Sequence, residues 1–134
     1  MKTVTRVARS GLPDGVYHVY CRGVWASPCF VDDLDRSRFL TLVRLCEQRH
    51  DWVIDALALL STHYHVVLES TRRNLSAGLH WLNGTYAREF NKRHGRFGHV
   101  FAERYSARVI ESEQYLYDAC AYVLQNPVAA GLCD

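Results

Sequence analysis

Two runs at the centre of the chain limit its folding more than any other feature. Trp52 to Leu60 is mostly apolar, Thr62 to Glu69 is similar, and only a short turn near Ser61 separates them. Each has the length and side-chain types of a strand, and strands joined by so short a turn pair antiparallel. A third strand is predicted over 16–22, rich in β-branched and aromatic residues and bounded by Gly15 and Gly23. Over 104–110, Tyr105, Ala107 and Val109 alternate with Arg104, Ser106 and Arg108, the pattern of a half-buried strand. Helical spacing fills the gaps. Asp32, Asp33 and Asp35 can open a helix that uses Phe39, Leu42, Val43, Leu45 and Cys46 and runs to about His50. Asn74 or Ser76 can cap a longer one, with Leu75, Leu79, Leu82, Tyr86 and Phe90 as its apolar stripe and Gly95 as its stop. Ser112 opens a last helix, which Pro127 is expected to end.

The order β-α-β-β-α-β-α predicts an α+β, ferredoxin-like antiparallel sheet, with helices covering one face and a C-terminal helix. At 134 residues the chain is expected to be one domain, 1–134. With 49% hydrophobic and 22% charged residues it has the makings of a packed core and not of a disordered tail. No apolar run approaches the roughly 18 residues of a membrane span, and Met1 to Arg6 lacks the apolar stretch of a secretion signal. The cytoplasm is the expected compartment. The five cysteines, Cys21, Cys29, Cys46, Cys120 and Cys133, are odd in number and scattered. They read as reduced core thiols.

The net charge of +2 hides an uneven distribution. Residues 72–108 hold Arg72, Arg73, Arg88, Lys92, Arg93, Arg96, Arg104 and Arg108 against Glu89 and Glu103, a net of +6. From Val109 onward there is no Lys or Arg and there are four acids. Scattered helix charges are usually a solvated face. A one-sided excess interleaved with Tyr86, Phe90, Phe97, Phe101 and Tyr105 also fits a surface that follows phosphates and stacks bases.

Two groups can do chemistry. His63-Tyr64-His65 lies on a predicted strand, so the two histidines share a face, about 7 Å apart at their α-carbons, while Tyr64 points into packing. They could converge on a metal ion, although an isolated His-x-His is more often a pair of surface or hydrogen-bonded histidines. In the last helix Tyr115, Ala119, Tyr122 and Asn126 form one stripe, beside an apolar stripe of Leu116, Cys120 and Val123 that would bind the sheet. Tyr122 and Asn126 also have a plain structural reading, as a buried phenol and a helix-terminal amide. Taken together, two imidazoles and an amide oxygen can hold a divalent ion, and a phenol beside it can attack phosphorus. With an ordinary pKa of about 10 a phenol needs alignment and charge stabilisation to do so.

The ordered blocks resemble the single-tyrosine HUH transposases of the insertion-sequence-200-like and REP-associated type, over roughly residues 15–132. They are Tyr17-His18-Val19 with Arg22-Gly23, Asp33-x-Asp35-Arg36 with Phe39-Leu40, and His63-Tyr64-His65-Val66-Val67-Leu68. Leu82-Asn83-x-x-Tyr86-Ala87-Arg88-x-Phe90-Asn91 follows, then Arg93-His94-Gly95-Arg96-x-Gly98-His99-Val100-Phe101 and Arg104-Tyr105. The last block is Tyr122-Val123-x-x-Asn126-Pro127-Val128-x-Ala130-Gly131-Leu132. The resemblance implies His63, His65 and Asn126 as ligands of Mg²⁺ or Mn²⁺ and Tyr122 as the nucleophile. It implies cleavage and rejoining of single-stranded DNA through a 5′-phosphotyrosine, at DNA hairpins or palindromic repeat ends. It implies a cytoplasmic, nucleoid-associated protein of a prokaryote, as a monomer or a homodimer.

His18, Arg22, Arg88, Lys92, Arg93, Arg96, Arg104 and Arg108 would then meet the DNA, mainly at its phosphates. One departure stands next to the histidines: many relatives carry Pro-Asn where this chain has Ser61-Thr62. That altered turn motivates a second reading, a domesticated DNA-binding module of the same family that no longer cuts. A replication or conjugation nickase shares the same residue types, but the order of the blocks and the small size argue against it.

Overall fold

The computed structural model describes the backbone of residues 4–6, 15–70, 74–102 and 104–129, and the side chains of 15–70, 74–102 and 104–125. Strand β1 (Val4–Arg6) is followed by β2 (Gly15–Arg22), α1 (Asp33–His50), β3 (Val53–Leu59), β4 (His63–Ser70), α2 (Leu75–His94), β5 (Ser106–Ile110) and α3 (Glu113–Ala129). Apart from the short β1, which the sequence reading did not anticipate, this is the expected order. All pairings are antiparallel, and the sheet runs β1-β5-β2-β4-β3. Strands β2 and β4 are therefore neighbours, with β2 in the central place.

Strand alternation divides the sheet into two faces. On one, Tyr17, Val19 and Cys21 of β2 and Tyr64, Val66 and Leu68 of β4 meet Phe39, Leu42, Val43 and Cys46 of α1 and Leu75, Leu79, Leu82, Tyr86 and Phe90 of α2. This is the large core. Burial of the Cys21, Cys29 and Cys46 thiols in it pushes each up to about 12, so they stay protonated and inert. The other face is covered by α3 through a smaller cluster of Ala56, Ala58, Val67, Ile110, Ala119 and Val123. Leu116, Cys120 and Val123 do bind the sheet, as their spacing predicts.

The helix ends follow local chemistry. Asp32 caps α1, its side chain accepting from the Asp35 amide at 3.1 Å. Ser112 caps α3 in the same way, accepting from the Tyr115 amide at 3.0 Å. Gly95, at φ 64°, closes α2 in the left-handed region that favours glycine. Asn74 stands at the cap position of α2 but its side chain donates instead to the His50 carbonyl, tying the two helices' ends together. Pro127 does not end α3, which continues to Ala129. The proline falls in the final turn, where its missing N–H removes a single bond from a helix already seated on the sheet.

Candidate active site

Strand β4, which carries His63 and His65, is held from behind. Tyr64 points into the large core, where burial drives its phenol well above the usual range. Its hydroxyl donates to Asn83 Oδ1 of α2 at 2.8 Å, which satisfies the buried polar group and fixes β4 in register. With Tyr64 inward, His63 and His65 project to the α3 side. Their rings lie 5.2 Å apart.

Each histidine has its Nδ1 engaged. His63 Nδ1 meets Thr62 Oγ1 at 3.2 Å, and His65 Nδ1 meets His18 Nε2 at 3.0 Å. In the tautomer that carries its proton on Nδ1, each ring would keep its Nε2 lone pair for a ligand. Burial lowers the pKa of all three histidines. For His65 the fall is to about 4, from burial first and then from the charges that His18 and His63 would carry. Arg108, opposite His18 in the register, adds to burial in lowering His18. Neutral imidazoles with free Nε2 atoms are what ligation requires.

Tyr122 arrives from α3 in the same chain. Its ring stands 5.7 Å from His65 at 89° and 6.3 Å from His18 at 61°. It is 54% exposed, so the apolar packing that would disable it is absent. Its stripe partner Ala119 is buried against the sheet, which sets the helix rotation. Asn126 lies on α3 one turn further on, and its side chain falls outside the described residues. Among the described residues no three or more His, Cys, Asp or Glu converge as a metal site.

The basic residues separate into groups. His18, Arg22 and Arg108 share the histidines' face, with Arg22 opposite His63 in the register. Arg22 and Arg108 are exposed, whereas His18 meets His65 through its Nε2. Arg88 and Lys92 are exposed on α2, across the sheet from the histidines. Arg96 and Arg104 are exposed on the segment between α2 and β5. Arg93 is taken internally: it donates to both carboxylate oxygens of Asp32, at 2.7 and 2.6 Å, and to Asp35 Oδ1 at 2.7 Å. Those bonds occupy part of the guanidinium fork that was expected to meet phosphates. Arg72 and Arg73 lie outside the described residues.

Two site residues escaped the sequence reading. Tyr20, between His18 and Arg22 on the same face, has its ring 4.9 Å from His65 and 5.4 Å from His63. Strand parity alone could have found it. Thr62 supplies the hydroxyl on His63, so the altered turn provides a contact to the site instead of damaging it.

The chain falls among DNA-processing enzymes. Within them it belongs to the IS200-like transposases, a family it matches over residues 14–126. No curated protein matches it. Among solved structures it resembles a REP-associated tyrosine transposase bound to a REP hairpin, with a TM-score of 0.74, 14% identity, and coverage of 96% of this chain and 76% of that one. It also resembles a protein described as a transposase from Deinococcus radiodurans, with a TM-score of 0.58, 16% identity, and coverage of 90% and 97%. At these identities both likenesses concern the fold. Among the described residues no helix is long and apolar enough to cross a membrane.

Proposed function

We propose that this transposase cuts and rejoins single-stranded DNA at hairpin or palindromic repeat ends, with Tyr122 as the nucleophile. The observation that carries the reading is the position of the Tyr122 ring, solvent-reachable and 5.7 Å from His65 of the same chain. The phenolate oxygen attacks the scissile phosphorus, the bond to the 3′-oxygen breaks, and a 5′-phosphotyrosine and a 3′-hydroxyl remain. Attack by another 3′-hydroxyl reverses the step and frees Tyr122.

His63 and His65 suit a divalent cation, Mg²⁺ or Mn²⁺, because burial favours their neutral form and Thr62 and His18 contact their Nδ1 atoms. Asn126 is the proposed third ligand from the protein. Once bound, such an ion polarises the phosphate and stabilises the departing oxyanion. Arg22 and Arg108, exposed on the same face, are placed to meet the flanking phosphates. Tyr122 acts in cis, and a second copy of the chain is not needed to complete the site.

The test is direct. Incubated with Mn²⁺ and single-stranded hairpin DNA, the protein is expected to form a covalent adduct that survives boiling in detergent. Tyr122→Phe is expected to form none, and chelation is expected to abolish the adduct. The same adduct from Tyr122→Phe would overturn the assignment. DNA binding unaffected by chelator, with no product on any folded substrate, would favour the non-cutting module instead.

A further inference from the structure

Three residues beyond Arg22 the chain carries a tryptophan that the core never receives. Trp25 is 91% exposed. It occupies a short 3₁₀ turn, Val24–Ala26, with its own backbone at φ 55° and ψ 30° and that of Ala26 at φ 54°. Two consecutive non-glycine residues in the left-handed region are uncommon, and such strain persists only where the surroundings enforce it.

The surroundings here do. The Gly23 amide donates to the Thr62 carbonyl at 2.7 Å, the Val24 amide to Val100 at 2.9 Å and the Cys29 amide to Ser61 at 2.7 Å. Ala102 closes the other side by donating to the Arg22 carbonyl at 2.8 Å. A Cβ on Gly23 would sit 2.2 Å from the Ser27 carbonyl oxygen, so the approach that pins this turn is open to glycine alone. The turn is therefore fastened to the residue preceding His63, and its indole is presented to solvent on a fixed backbone.

The chemistry around it selects the occupant. Arg22 is exposed and opposite His63 in the register. The segment bonded to Val24 brings Phe97, 97% exposed, together with exposed Arg96 and His99. A rigid exposed indole three residues from an exposed arginine suits a nucleobase whose phosphate is held nearby.

We propose that Trp25 is a stacking platform for one unpaired base of single-stranded DNA, at the His63 end of the catalytic face. This subsite rests on the DNA reading above, but not on cleavage. The experiment uses the full chain carrying Tyr122→Phe, in chelator, titrated with a fluorescently labelled single-stranded oligonucleotide and a series in which each nucleotide in turn is abasic. With Trp25 intact, one abasic position is expected to weaken binding about 5- to 100-fold, the range of one base–aromatic stack. Trp25→Ala is expected to lose the same factor on the intact oligonucleotide and to be indifferent to that position, while Trp25→Phe keeps most of the affinity. Intrinsic tryptophan emission is expected to quench on binding and to lose that response in Trp25→Ala, since Trp52 is buried and Trp81 is half-buried beneath Arg49. Undiminished affinity in Trp25→Ala, while the parent chain still forms the Tyr122 adduct, would overturn the subsite alone. No binding of any oligonucleotide would overturn it together with the DNA reading.

Discussion

His65 is only 6% exposed yet polar, and its folded-state pKa of about 4 makes it the residue through which acid acts on the site. The folded protein binds a proton here less readily than the unfolded chain, whose value is about 6.5. Stability from this group is therefore complete above pH 6.5 and is lost as the pH falls toward 4. The shift corresponds to roughly 3 kcal/mol. Thermal unfolding followed between pH 7 and 4 should show this loss in the parent protein and a clearly shallower slope in His65→Gln. Equal slopes would mean that His65 does not carry the acid sensitivity. In the folded protein the His65 imidazole stays neutral, as a cation would need, until the pH nears 4. At this scale the sequence was informative about which side chains share a strand face, and so about His63 and His65. It could not say that His18 would meet His65, because that contact joins positions 47 residues apart and rests on the register of β2 against β4.

Among the elements, the join between α1 and α2 depends on a compact charge cluster. Asp35 is 1% exposed and accepts from the Val31 amide, from Arg93 and from His94 Nε2 at 2.9 Å. Burial acts to raise its pKa, and those donors outweigh it, so the carboxyl is held below its ordinary value. Arg93→Ala leaves a buried carboxylate with part of its partners gone. A loss of stability is expected, because Asp35 stays buried while its guanidinium partner is gone. Urea unfolding measures that loss, and oligonucleotide affinity at saturating fold should stay unchanged. A weakened affinity with intact stability would restore the phosphate role that the charge count suggested. Helix periodicity correctly marked Leu75, Leu79, Leu82, Tyr86 and Phe90 as the buried stripe of α2. It is silent on the partner of a surface arginine, because the docking of α2 on α1 is a tertiary event. The end of α3 was misjudged for a related reason: Pro127 breaks a helix in isolation, whereas here the preceding turns rest on the sheet.

For the whole molecule, the two faces of the sheet have different tasks. One carries the large core beneath α1 and α2, and the other carries the imidazoles, Tyr122, Arg22 and Arg108. A charge count along the chain merged cations from both sides, since sequence order does not record the side of the sheet on which a helix settles. Salt dependence separates them. For single strands each phosphate contact contributes about 0.7 to the slope of log K against log salt. Arg22→Ala and Arg108→Ala should each lower that slope by about this amount, whereas Arg88→Ala should leave it near the parent value. Equal losses from all three would mean that DNA wraps onto the α2 side as well.

Beneath α3 the sheet offers mainly small side chains, Ala56, Ala58 and Val67 among them, where its opposite side offers Tyr17, Tyr64 and Leu68. Because the two clusters lie on opposite faces, α3 with Tyr122 can loosen from the sheet without breaking into the large core.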